Sequence, residues 1–148
     1  MAQKSQDLKN LDPMFYWKYV MKKGSRSYPE VRFIDFPIND GVLAKLAHNN
    51  PEVVYRVESE DPPGGIPVFQ SNVHFVWRKM MTPKQRLEAL SNTDYVVCKK
   101  NSVYGFEAGL CGVRVLHSLD ALKKIDILRV LSSLERIENW EKTKELLT

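Results

Sequence analysis

Cysteine is scarce: Cys98 and Cys111 are the only two among 148 residues. Two thiols cannot form the disulfide framework of a small secreted domain, so they read as free thiols in a reducing, intracellular compartment, cytoplasmic or nuclear. Structural zinc is excluded as a spacing pattern. There is no C-x-x-C or H-x-x-x-H, and His48, His74 and His117 are scattered. No apolar run reaches the roughly 18–20 residues that a membrane helix needs, and the opening MAQKSQDLKN is polar where a signal peptide would be apolar. No N-x-S/T site occurs.

Nucleotide signatures are also missing. Gly105, Gly109 and Gly112 give G-x-x-x-G-x-x-G, which is neither the P-loop with its G-K-[ST] nor the dinucleotide fingerprint G-x-G-x-x-G. Hairpin and bulge glycines account for them. Glu58, Glu60 and Asp61 lack a lysine two places on, as an E-x-K nuclease would require, and read as a solvated turn. Asp35 interrupts FIDFPI and reads as the outward face of an edge strand. Cys111 and His117, six apart on one strand, would lie about 20 Å apart. Both cysteines therefore read as small core residues. No metal site, cofactor or catalytic motif is predicted.

What is present is a mixed pattern of strand and helix signals. Leu11-Asp12-Pro13 starts a helix over 13–22, with Gly24 able to end it. Residues 31–37 read as a strand stopped by Pro37. Asn39 or Asp40 caps a short helix bearing Val42, Leu43 and Leu46, and Asn49-Asn50-Pro51 breaks it. EVVYRVE, residues 52–58, is the next strand, and EDPPGG is a turn. Residues 66–80 are β-prone. Thr82-Pro83-Lys84-Gln85 forms a capping box before Leu87 and Leu90, and YVVCKK follows as a strand.

Residues 101–117 read as a hairpin, VYGF and CGVRVLH around a Gly-containing turn. From 119 onward there is no Gly or Pro. Leu119, Leu122, Ile125, Leu128, Leu131, Leu134, Ile137 and Trp140 recur at helical spacing, as one long helix or two with a kink near Asp126. Residues 31–58 and 73–100 echo one another in layout. The expected fold is therefore α+β: a small mixed sheet of two β-α-β-like halves plus a hairpin, closed by N-terminal and long C-terminal helices. Residues 1–11 would form a flexible tail and 12–148 a single domain.

Charge separates the halves of the echo. Residues 31–61 carry three basic and six acidic side chains, and residues 62–100 six basic and two acidic, within a net charge of +4. Basic side chains collect at element ends: Lys22, Lys23, Arg78, Lys79, Lys84, Arg86, Lys99 and Lys100. Trp17, Tyr19, Phe75, Trp77, Tyr95 and Tyr104 lie close by. Cations beside stacking platforms suit single-stranded nucleic acid, so the first functional expectation is a non-catalytic, RNA- or ribonucleoprotein-associated binding module. No RNP, KH or C2H2 pattern accompanies it. The alternative is a protein-interaction or assembly factor, regulatory, viral or accessory, that docks a partner through Ile137 and Trp140 of the C-terminal helix. A dispersed enzyme site around Asp35, His74 and Cys111 is the third.

Overall fold

The structure, a computed structural model, describes residues 10–21, 28–62 and 70–147. The expected tail lies almost wholly outside the described residues, as do Lys22, Lys23 and most of the Pro-Gly turn. The first helix, α1 (Pro13–Met21), starts as its capping signal requires, with Asp12 Oδ1 accepting from the Met14 amide at 3.0 Å. Strand β1 (Glu30–Ile34) follows, then α2 (Asp40–Asn49), which Asn39 caps through the Gly41 and Val42 amides. Next come β2 (Val54–Ser59), β3 (Val73–Trp77) and a 3-10 turn over Arg78–Met80. Helix α3 (Pro83–Ser91) carries the complete Thr82–Gln85 capping box.

Strand β4 (Tyr95–Val97) leads into α4 (Val103–Leu110), β5 (Arg114–Leu116), α5 (Leu119–Lys123) and α6 (Ser133–Leu146). The mixed class of helices and strands expected from the sequence is present. The five strands form one sheet in the order β3-β2-β1-β4-β5, and every pairing is parallel. Phe33 sits level with Val57 on one side and Val97 on the other.

Parallel strands must be covered on both faces, and they are. One core gathers Tyr16, Ile34, Leu87, Leu90, Val96, Leu110 and Trp140 beneath α1, α3, α4 and α6. The opposite core gathers Val31, Phe33, Leu43, Tyr55, Val97, Leu122 and Leu131 beneath α2 and α5. The echo survives as layout but not as pairing. Strands β1 and β2 are neighbours, whereas β3 and β4 are separated by β2 and β1.

The expected hairpin over 101–117 is replaced by α4 and β5. The glycines there serve close helix packing. A Cβ on Gly109 would lie 2.2 Å from Thr143 Oγ1 of α6, so the helices can approach only because that atom is missing. Gly112 ends the α4 segment at φ +85°, the left-handed geometry that glycine tolerates.

The C-terminal apolar stripe divides into two helices because it serves both faces. Leu122, Ile127 and Leu131 enter the second core, whereas Ile137 and Trp140 turn to the first. Asp94 Oδ1 accepts from the Leu131 amide at the crossing, and Ser132 with Glu135 then starts α6 as a capping box. Arg136 donates to the carbonyls of Thr93, Leu90 and Cys111, clamping α6 onto the ends of α3 and α4. No helix among the described residues is long and apolar enough to cross a membrane.

Gly112→Ala should lower stability by about 2 kcal/mol in urea denaturation, through left-handed strain and a Cβ placed 2.8 Å from Arg136 Cβ. An unchanged midpoint would refute this account of the turn.

Candidate functional site

The chain lays down β1, β2 and β3 in one direction and then returns to place β4 on the other side of β1. The connections leaving the C-terminal ends of β1 and β4 therefore diverge, and a crevice opens between them. In open parallel sheets this switch in strand order is where ligands bind. Here it forms a cleft of about 390 Å³. One wall is Asp35, just past β1, with Ser59, Glu60 and Asp61 at the end of β2. The other is Lys99, Lys100, Asn101 and Ser102, between β4 and α4.

The backbone is strained on both walls. Asp35 (φ 48°) and Asn101 (φ 63°) are the only non-glycine residues with positive φ among the described residues. Asp35 is held by its side chain: Oδ1 accepts from the Glu60 amide at 3.0 Å and Oδ2 from Arg78 Nη2 at 2.7 Å. Ser102, at the N-cap of α4 without a side-chain capping bond, lines the crevice. Lys99 and Lys100 are exposed there.

Joined to the cleft through Asp35 and Arg78 is a buried ion network. Alternation along the strands puts Arg32, Arg56 and Glu58 on one face of the sheet. Glu58 is 1% exposed. Its Oε1 accepts from Arg32 Nη1 at 2.7 Å, and its Oε2 from Arg78 Nη1 at 2.9 Å and Arg86 Nε at 3.0 Å. Arg86 Nη1 also donates to Glu107 Oε1 at 2.8 Å, and Tyr16 donates its hydroxyl to Glu107 Oε2 at 2.7 Å. The guanidinium groups of Arg78 and Arg86 lie 4.0 and 4.5 Å from the centre of the Tyr104 ring.

Burial alone would raise the Glu58 carboxyl. The charges of Arg86 and Arg32 and the bonds from Arg78 and Arg86 override it and hold the group below its ordinary value. Burial raises the Tyr16 hydroxyl, and the Glu107 carboxylate adds to the shift.

The residues singled out from the sequence divide accordingly. Lys99 and Lys100 reach the cleft. Lys79 and Lys84 are exposed at the 3-10 turn and the start of α3, and Lys79 borders a neighbouring cleft of about 350 Å³ that shares Glu60. Arg78 and Arg86 are not free surface cations, because both are engaged by carboxylates. Lys22 and Lys23 lie outside the described residues. Trp140 is 6% exposed, donates to the Pro13 carbonyl and meets Trp17 edge-on, while Ile137 packs against the same core. The face of α6 expected to dock a partner is thus covered by α1 of the same chain.

Glu58 belongs to β2 and is buried, whereas Glu60 and Asp61 are exposed as a turn would have them. Asp35, His74 and Cys111 do not converge. His74 is exposed on the β3 edge, and Cys111 is buried after α4, beside the opposite edge. Burial pushes the Cys98 thiol up to about 11 and the Cys111 thiol up to about 12. Among the described residues no group of three or more His, Cys, Asp or Glu side chains could hold a metal ion. Sequence reasoning missed Asn101, Ser102 and Glu107, since the hairpin reading hid the α4 N-terminus. The signal was Ser102 itself, a capping residue after Lys-Lys-Asn. No protein-family model, curated protein or solved structure matches this chain.

Glu58→Gln should cost about 3 kcal/mol at neutral pH, because it leaves buried arginines uncompensated. The lowered folded value of Glu58 sets the sign. Its contribution is complete above the unfolded value of about 4.3 and is lost as pH falls through the folded value. Urea denaturation between pH 7 and pH 3 should show the variant flatter than the parent, and parallel curves would contradict the network's role. Both thiols should resist alkylation at pH 8 until the chain is denatured, and rapid labelling of the native protein would contradict their burial.

Proposed function

We propose that this chain is a binding module for the phosphate and ribose of a ribonucleotide, free or at the end of an RNA, seated in the cleft where the strand order switches. The observation that carries the reading is the lining of that cleft: Lys99 and Lys100 on one wall, Glu60 and Asp61 on the other. Ammonium groups suit phosphate oxygens, and carboxylates accept from ribose hydroxyls. The cleft volume, about 390 Å³, falls within the usual range of small-ligand sites.

Arg78 and Arg86 have a different role in this reading. Arg78 holds Asp35 at the cleft wall and Arg86 joins Glu58 to Glu107 in the neighbouring cleft, while the exposed Lys99 and Lys100 supply charge to the ligand. A single-stranded RNA would approach with its terminal nucleotide in the cleft and its backbone near Lys79, on the adjoining cleft that shares Glu60.

Isothermal titration calorimetry with AMP and with a 5′-phosphorylated oligoadenylate tests the proposal. Joint replacement of Lys99→Ala and Lys100→Ala should weaken both at least roughly tenfold, by loss of charge-assisted bonds. The melting temperature should stay within experimental error, since both residues are exposed. Parent affinity for the oligonucleotide should fall as salt rises. Unchanged affinity in the double variant, or no binding of either ligand by the parent, would overturn the reading.

A further inference from the structure

A second cavity adjoins the first. It has a volume of about 440 Å³ and lies between α4, the edge strand β5 and α6. The two cavities share Lys100, Asn101 and Ser102 as a common wall. Their linings differ in kind. The switch cleft mixes lysines with three carboxylates. The second cavity has apolar walls, among them Phe106, Val115 and Leu146, and a rim bearing Lys100, Arg114 and Lys142, with no carboxylate among the described residues that line it.

We propose that the second cavity holds a second nucleoside, joined through phosphate to the one in the switch cleft, so that the ligand is dinucleotide in length and its phosphate crosses the Lys100–Ser102 wall. This rests on the mononucleotide reading above and extends it. The apolar walls suit a base, with the Phe106 ring available for stacking. The cations at the rim suit the bridging phosphate, and Lys100 serves both cavities. β5 is the edge strand, so the second cavity lies at the margin of the sheet, and the residues it has in common with the switch cleft are all in the short segment 100–102. Asn101 in left-handed conformation turns the chain sharply between the cavities, making the dividing wall a narrow loop.

The linkage has two chemical sources, a 3′–5′ phosphodiester as in RNA or a 5′–5′ pyrophosphate as in dinucleotide cofactors. Calorimetry with AMP, adenylyl-3′,5′-adenosine and diadenosine 5′,5′-diphosphate distinguishes them. At least one dinucleotide should bind roughly tenfold or more tightly than AMP, and the one that gains identifies the source. Phe106→Ala should reduce that gain to near AMP level and leave AMP itself unchanged. Arg114→Ala, at an exposed position, should do the same if loss of Phe106 perturbs folding. Failure of AMP to bind defeats the mononucleotide reading. AMP binding with no gain for either dinucleotide defeats only this extension, as does a Phe106 variant that keeps the full gain.

Discussion

Glu58 is a carboxylate with almost no exposure, and three arginines from three parts of the chain converge on it: Arg32 from β1, Arg78 from the turn after β3 and Arg86 from α3. Burying charge is costly, and the cost is offset only where every partner is in place. The convergence therefore fixes relative positions. β3 and α3 must arrive where Arg78 and Arg86 can reach Glu58, and α4 must arrive where Glu107 can accept from Arg86 Nη1. Tyr16 carries the same chain of contacts to α1. Through Arg78 and Asp35 it sets the end of β1, one wall of the switch cleft. Most helices on this face are thus tied to one buried carboxylate.

Much of the fold was legible because its signals are local. Asp12-Pro13, Asn39 and Thr82-x-x-Gln85 are capping chemistry, which acts within one turn of helix and is little altered by what packs around it. Strands rich in valine and aromatics were legible for the same reason. The 101–117 stretch was not. Its glycines, valines and aromatics suit a hairpin, and the packing that needs Gly109 is distant in sequence: the missing Cβ admits Thr143, which lies on α6 far along the chain. The C-terminal stripe was ambiguous because helical spacing records only that residues are buried. It does not record that Leu131 and Ile137 are buried on opposite faces of a sheet.

The candidate site shows the same division. Lys99 and Lys100 were identifiable from charge and from their place at a strand end. Arg78 and Arg86 carry equal charge but reach Glu58 from the turn after β3 and from α3, a tertiary meeting that single-sequence patterns do not encode. Glu58 itself looked like part of an exposed acidic turn. Alternation along β2 places it on the covered face with Arg56, whereas Glu60 lies past the strand end and is exposed, and Arg32 one strand away makes that burial tolerable.

An ion network meets the end of β1 at Asp35, the return of the chain to β4 opens a crevice, and the exposed Lys99 and Lys100 line the far wall. We propose that a nucleotide phosphate and ribose occupy that crevice. Titration of ¹⁵N-labelled protein with AMP, followed by amide chemical shifts, tests this most directly. The claim predicts the largest shifts at Lys99–Ser102, at the first turn of α4 and at residues 59–61. Shifts concentrated on the exposed residues of α1, or spread without a focus, would contradict it.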